Sequence, residues 1–222
     1  AIGHTNIDQS LYYVDSQSHK INLLDHFLSQ ENVNQAIIFT ATKRLADKLS
    51  DDLYHKDIKA SALHGDMTQN SRTRTINRFK KNGIKVLVAT DLASRGIDVK
   101  HITHVFNYDL PRFAEDYVHR IGRTGRADKK GFAISFVNET DKEHLRKIER
   151  FTKLKIDVKT IDGMEPTKIT ADINKNKKRR SGKKRPFIKS TKNFKNSSNA
   201  QKRIRSKNRK EGQSTTAKSA KE

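Results

Sequence analysis

The sequence contains no cysteine and no tryptophan, and only 3 of its 222 residues are proline. Without cysteine, neither a disulfide framework nor a Cys-ligated zinc or iron–sulfur site can form. No apolar run approaches the ~20 residues that a membrane-spanning helix needs, and the N-terminus lacks the pattern of a signal peptide. We therefore expect a cytoplasmic protein that has no membrane partner.

Positive charge is concentrated in the last quarter of the chain. Residues 165–222 hold 20 Lys and Arg against 4 Asp and Glu, whereas residues 1–164 hold 27 against 21. The first part is long enough to bury a core. The second has too few apolar residues to offset the entropy lost on ordering. We predict a globular domain over 1–164 and a disordered Lys/Arg-rich tail over 165–222.

The first 160 residues alternate short apolar runs with helix-period segments. This alternation predicts an α/β fold, a parallel sheet covered by helices on both faces. Strands are predicted at 11–14, 35–40, 59–63, 85–90, 103–108 and 132–137, with an edge strand at 155–161. Ser18 and Thr42 are predicted to cap helices, and Phe151 is predicted to face the core. Because ligands of open parallel sheets bind beyond the carboxyl ends of the strands, functional residues are expected directly after strands.

The stretch with the strongest functional signal is the octet, residues 119–126, which reads His-Arg-Ile-Gly-Arg-Thr-Gly-Arg. A planar guanidinium suits a phosphate group, and Arg123 and Arg126 would emerge on one face of a helical turn. The two glycines have no Cβ, so the backbone there can approach a ligand or a neighbouring domain. On these residues alone, a solvated basic turn remains an alternative.

The octet resembles motif VI of the DEAD-box RNA helicases. Three more stretches resemble motifs of that family in the right order. They are Ala41-Thr42-Lys43-Arg44, then His64-Gly65-Asp66 with Gln69-Asn70-Ser71-Arg72, and Thr90 to Asp98, which reads Thr-Asp-Leu-Ala-Ser-Arg-Gly-Ile-Asp. The resemblance covers about residues 8–160. It implies the family's second RecA-like domain, a parallel sheet with helices on both faces, in an ATP-dependent RNA helicase.

The resemblance also implies a role for individual residues at the ATP. Arg123 and Arg126 would be the catalytic arginine fingers on the γ-phosphate. Gly96 and Asp98 would contact the nucleotide, the aspartate through the ribose.

Other residues are implied at the domain interface and on RNA. Arg95 would pair with the acidic motif of the partner domain, and His119 would bridge the two domains. The residues implied to contact RNA, without base specificity, are Thr42, Gly65, Arg72 and Thr90.

The family's first domain has no counterpart in this sequence. The phosphate-binding pattern G-x-x-x-x-G-K-[ST], Asp-Glu-Ala-Asp and Ser-Ala-Thr are all absent, and the chain starts at Ala1 rather than methionine. Phosphoryl transfer needs a phosphate cradle, a metal and a water-positioning carboxylate besides the arginine finger. We therefore expect a monomeric fragment that does not hydrolyse ATP alone. An N-terminal RecA-like domain of the same protein would make most of the contacts with ATP and Mg²⁺.

Two other functions are compatible with the sequence. The first is a non-enzymatic RNA-binding or annealing module that works through the basic tail, whose charge attracts polyanions. The second is a DNA helicase of the same superfamily, which the residue sequence of the octet makes less favoured than the DEAD-box branch. His101 and His104 form an H-x-x-H pair, but no further ligand lies at metal-binding spacing, so we expect no metal site there.

Overall fold

A computed structural model describes residues 6–97, 99, 102–126 and 129–167, all within one compact unit. The strands are β1 (Ile7–Tyr13), β2 (Ala36–Phe39), β3 (Ala60–Leu63), β4 (Val86–Ala89), β5 (His104–Asn107), β6 (Gly131–Val137) and β7 (Asp157–Val158). The helices are α1 (Gln17–Leu28), α2 (Lys43–Tyr54), α3 (Gln69–Lys80), α4 (Asp91–Ser94), α5 (Ala114–Ile121) and α6 (Lys142–Thr152), the last preceded by a 3₁₀ turn at Glu139–Asp141.

The seven strands form one sheet in the order β3-β4-β2-β5-β6-β1-β7, and every neighbouring pair is parallel. The central strands β2 and β4 are buried along their whole length, as their nearly continuous apolar sequences predict. Strands that are parallel need crossover connections, and helices make them here.

The core lies on both faces of the sheet. On one face, Leu24 and Phe27 of α1 and Leu49 and Leu53 of α2 pack against alternate strand residues. On the other face, α3 and α4 cover one half of the sheet, and α5 and α6 cover the other half. The predicted α/β architecture is therefore confirmed.

Several local predictions are confirmed and others are wrong. Thr42 caps α2 as expected, but Ser16 rather than Ser18 caps α1. Phe151 is 41% exposed and does not face the core. β7, at the edge of the sheet, has 2 residues and is shorter than predicted. Of the predicted tail, residues 168–222 lie outside the described part of the chain, so the division into domain and tail stays a prediction.

Candidate nucleotide and nucleic-acid interface

Thr42, Gly65 and Thr90 lie at one edge of the sheet, which we call the carboxyl edge. They follow the ends of β2, β3 and β4, which are neighbours in the sheet. A backbone hydrogen bond from Thr90 N to Leu63 O (3.2 Å) continues the pairing of β3 and β4 into this edge. At a spacing of ~4.8 Å between strands, the three positions span about 10 Å. Three of the four residues implied for RNA contact are thus adjacent in space.

Two helices present their N-termini at the carboxyl edge. The Thr42 hydroxyl accepts a hydrogen bond from Leu45 N (3.2 Å) at the start of α2, and Thr68 caps α3 in the same way. Helix N-termini carry partial positive charge and exposed amides, which favour anions such as phosphate. Thr90 precedes α4 and makes no capping hydrogen bond. Its hydroxyl is therefore not used to cap the helix that follows it.

The loop His64–Asp66 is held against α2 from both sides of Gly65. His64 Nε2 lies 2.7 Å from Asp47 Oδ1, and Lys43 forms an ion pair with Asp66. The hydrogen bond from Lys43 lowers the pKa of the Asp66 carboxyl. Gly65 itself is exposed, and a Cβ added there would meet nothing within 4 Å. The two pairs therefore place the glycine beside the start of α2 and leave it accessible.

Arg72, the fourth residue implied for RNA, points along the inner side of α3. It is half-buried, and its Nη2 donates to the carbonyl oxygen of Ala93 at 3.4 Å. A hydrogen bond of that length is weak. Arg72 can therefore exchange this contact for a phosphate at small cost.

Arg120, an arginine of the octet to which the sequence assigned no role, is buried beneath the carboxyl edge. Arg120 is 2% exposed and donates to both carboxylate oxygens of Asp91 at 2.6 and 2.8 Å. Its Nη1 donates to Asn107 Oδ1 (3.1 Å) and to the carbonyl oxygen of Asp109 (2.6 Å). The guanidinium also lies 4.9 Å from the ring centroid of Phe39. Arg120 thus joins α5 to the start of α4 and to the ends of β2 and β5.

The octet contacts the loop that follows α4. Arg123 Nη1 donates to the carbonyl oxygen of Ile97 at 2.8 Å. Arg95 Nη2 lies 3.7 Å from Asp116 Oδ1 on α5, and His119 lies 4.0 Å from the same carboxylate oxygen. The side chains of Arg95 and His119 are 65% and 66% exposed. Two stretches that are distant in sequence therefore form one face, on which Arg95 and His119 are exposed and Arg123 is partly buried. We call it the Arg95–Arg123 face.

The end of the octet lies at the opposite edge of the sheet. Thr124 Oγ1 donates to the carbonyl oxygen of Ile102 (2.6 Å), just before β5 begins. Arg126 lines a cavity of about 500 Å³ together with Gln35 and Lys85, which precede β2 and β4. The expectation that functional residues follow strands therefore does not hold for Arg126. The reason is that α5 runs back from the carboxyl edge to the opposite edge, where the parallel strand β6 must start. We call this opposite edge the amino edge.

The glycines explain how closely the octet packs. Gly125 has φ +68°, and a Cβ added there would overlap the side chain of Ile7. A Cβ on Gly131 would overlap Thr124 and Gly125. The backbone at Gly125 therefore packs closely against β1 of its own domain. Gly96 has φ +79°, a backbone conformation that residues other than glycine rarely adopt, and a Cβ added there would meet nothing within 4 Å.

Asp98 and His101 lie outside the described residues, so their predicted roles stay predictions. His104 is 2% exposed and stacks on Phe132 with ring centroids 4.8 Å apart. Burial lowers the pKa of His104 to about 4. Within the described ranges no group of three or more His, Cys, Asp or Glu side chains could hold a metal ion. The same part of the chain contains no helix long and apolar enough to cross a membrane.

Comparison with known proteins gives consistent results. The family model "Helicase conserved C-terminal domain" matches residues 19–128. ATP-dependent RNA helicase SrmB of Haemophilus influenzae is 44% identical over 160 residues, which are 72% of this chain and 36% of that protein. DEAD-box ATP-dependent RNA helicase CshA of Bacillus subtilis is 44% identical over 69% of this chain and 31% of its own length. The chain thus spans about a third of the length of these relatives.

Two solved structures match over nearly their entire chains. The E. coli DEAD-box protein SrmB, bound to regulator of ribonuclease activity A, has a TM-score of 0.69 at 40% identity, covering 72% of this chain and 95% of that one. The C-terminal domain of the DEAD-box protein Dbp5 has a TM-score of 0.64 at 32% identity, covering 78% and 98%. The parallel sheet, the order of the four stretches that resemble family motifs, and the similarity to these relatives all indicate the same family. The chain belongs to the DEAD-box RNA helicases as their C-terminal, RecA-like domain.

Proposed function

We propose that this chain is the second half of an ATP-dependent RNA helicase, and that it closes on a first RecA-like domain of the same protein when ATP and RNA bind. The observation that carries the proposal is the Arg95–Arg123 face. There the loop after α4 and the octet meet through the hydrogen bond from Arg123 to Ile97. A face that carries two arginines suits a partner that presents phosphates and carboxylates.

At the ATP, this chain's residues supply positive charge. Arg123 neutralises the charge that develops on the γ-phosphate, while Gly96 and Asp98 contact the nucleotide. Arg126 reaches the same phosphate by turning away from the cavity at the opposite edge of the sheet. Arg95 changes partner on closure, from Asp116 to an acidic side chain of the first domain. Its pair with Asp116 spans 3.7 Å and Arg95 is largely exposed, so breaking it costs little.

The rest of the ATP site belongs to the first domain in this proposal. The sequence has no G-x-x-x-x-G-K-[ST] loop to cradle the phosphates. The described residues offer no cluster of ligands for Mg²⁺, which takes carboxylates together with substrate phosphates. When bound, Mg²⁺ would neutralise phosphate charge from the first domain's side. This chain then acts on the same phosphate group from the opposite side.

RNA lies along the carboxyl edge in this proposal. Thr42, Gly65 and Thr90 present two hydroxyls and an accessible backbone, and Arg72 adds a cation from the side. All four groups suit sugar and phosphate rather than base edges, so we expect binding with little dependence on sequence. Arg120 contacts neither RNA nor ATP. It positions the start of α4, and hence Thr90, through Asp91.

RNA-stimulated ATP hydrolysis by the intact two-domain protein tests the proposal. Arg123→Gln and Arg126→Gln should each lower kcat by a factor on the order of 10³, as loss of an arginine finger does in other NTPases. Arg112→Gln, which alters an exposed arginine just before α5, is the matched control and should leave kcat unchanged. If both finger variants hydrolyse ATP within about 2-fold of the wild type, the proposal is wrong.

The basic tail supports one other function, that of an RNA-binding or annealing module without an ATPase cycle. Residues 165–222 carry a net charge of +16. Deleting residues 168–222 separates the two functions. If the chain is part of a helicase, the two-domain protein should retain RNA-stimulated ATP hydrolysis after the deletion. If it is an annealing module, the deletion should abolish RNA binding, and the protein should not hydrolyse ATP with or without the tail.

A further inference from the structure

Helix α3 has an exposed polar and cationic side to which the proposed function assigns no role. Its members line a shallow surface groove of about 470 Å³ together with Gly83. We call it the outer stripe, and it consists of Asn70, Thr73, Arg74, Asn77, Arg78 and Lys81. Spacings of three and four residues place such side chains on one face of a helix. The rise per residue separates Arg74 from Lys81 by about 10 Å along the helix axis.

The outer stripe is a different face of α3 from the one that carries Arg72. Thr75 and Phe79 are buried and define the inner side of the helix. Arg72 turns towards α4, where it contacts Ala93. Arg74 and Arg78 are exposed. A ligand on the outer stripe therefore does not compete with Arg72 for space.

The charge on this helix has no internal counterbalance. α3 contains four cations and no acidic residue. Within the part of the chain that the structure describes, Arg74, Arg78 and Lys81 form no ion pair with a carboxylate. Arg74 and Arg78 are four residues apart, a spacing at which like charges repel. Such a surface is stabilised when a polyanion covers it.

The position of α3 indicates which polyanion this is. α3 begins at Gln69, four residues after Gly65, and so starts at the carboxyl edge. β3, the strand before α3, is an edge strand of the sheet. A strand of nucleic acid that crosses the ends of β2, β4 and β3 leaves the sheet on this side. α3 runs from this edge back towards the start of β4, so the outer stripe begins with Asn70 near the carboxyl edge and extends away from it to Lys81.

We propose that the RNA backbone continues from the carboxyl edge onto the outer stripe of α3. Arg74, Arg78 and Lys81 pair with phosphates, and Asn70, Thr73 and Asn77 donate hydrogen bonds to phosphate or 2′-hydroxyl oxygens. This inference rests on the proposed function, because that function places RNA at the carboxyl edge. It adds a second RNA-binding surface that lengthens the bound stretch without adding base specificity.

The test is the salt dependence of RNA binding by the whole chain. Fluorescence anisotropy with a short labelled single-stranded RNA gives Kd across a range of salt concentrations. The double variant Arg74→Gln with Arg78→Gln removes two phosphate contacts. The plot of the logarithm of the association constant against the logarithm of salt concentration has a negative slope, and its magnitude should fall by about 1.4. Binding should weaken about 25-fold at 0.1 M salt.

Helix α6 provides a matched control. Arg146 and Arg150 are also exposed arginines four residues apart, but α6 follows β6, on the far side of the sheet from β3. Arg146→Gln with Arg150→Gln removes the same charge and should leave the slope unchanged. Circular dichroism of both double variants verifies that they are folded.

Two outcomes overturn the inference. Equal losses in the α3 and α6 variants would mean that only net charge matters. Unchanged RNA affinity in the α3 variant would mean that the outer stripe binds something else, such as an acidic protein. Thr90→Val and Arg72→Gln separate these failures from failure of the proposed function. If they weaken RNA binding while the α3 variant does not, only the outer stripe is wrong; if they too have no effect, the RNA site at the carboxyl edge is wrong.

Discussion

Replacement of Arg120 by methionine removes a guanidinium while keeping most of the buried stem. The change leaves the Asp91 carboxylate without the two hydrogen bonds at 2.6 and 2.8 Å that Arg120 donates. It also removes the donor to Asn107 and Asp109. Breaking a buried ion pair costs about 3–5 kcal/mol. The Asp91 side chain keeps 32% exposure and can be partly hydrated, so we expect the lower end, about 3 kcal/mol.

Urea unfolding followed by circular dichroism measures this loss, with the free energy of unfolding taken by linear extrapolation. Arg112→Met, at an exposed arginine, is the control and should change stability by no more than about 0.5 kcal/mol. In a double-mutant cycle, Arg120→Met combined with Asp91→Asn should cost less than the sum of the two single changes. A loss below about 1 kcal/mol for Arg120→Met, or strict additivity with Asp91→Asn, would refute the role assigned to this ion pair.

Three further predictions concern stability. Burial holds the pKa of His104 at about 4, below its ordinary 6.5, so protons bind the unfolded chain preferentially and stability should fall by up to ~3 kcal/mol as pH drops from 6.5 to 4. His104→Phe keeps the stacked ring and should remove that part of the pH dependence of urea unfolding; an unchanged profile would contradict the assignment. Gly125→Ala should cost about 2 kcal/mol or more in the same assay because φ is +68°, whereas Gly65→Ala, with open space, should cost far less. Hydrogen bonds from Thr167 lower the pKa of Asp15 to about 2, so their contribution is present above the ordinary pKa and lost as pH falls through 2; Asp15→Asn should speed amide exchange at Thr167, and equal exchange rates would argue against the contact.

Much of the sheet could be predicted from local apolar patterns. The runs that became β2 and β4 are apolar along their length because both of their faces are covered. Thr42 was predicted as a cap because it follows such a run and precedes a helix period. For the same reason Thr90 and Gly65 were correctly placed after strands. These features depend on residues close in sequence.

The features that could not be predicted depend on contacts between residues that are far apart in sequence. Arginine is usually exposed, yet Arg120 is buried because Asp91, the segment from Asn107 to Asp109 and Phe39 converge on it from three separate stretches. One signal was present, since Arg120 lies between Tyr117 and Ile121 on the buried side of α5. The placement of Arg126 at the amino edge required knowing that α5 runs back along the sheet. Phe151 is exposed because it falls in the last turn of α6, beyond the side that Leu145 and Ile148 bury.

The central claim is that this domain contributes cations to an ATP held mainly by another domain. The most direct measurement compares RNA-stimulated ATP hydrolysis by this chain alone with hydrolysis by the same chain preceded by its first RecA-like domain. We predict no turnover above background for the chain alone and robust turnover for the two domains together. Hydrolysis of ATP by the chain alone would contradict the account.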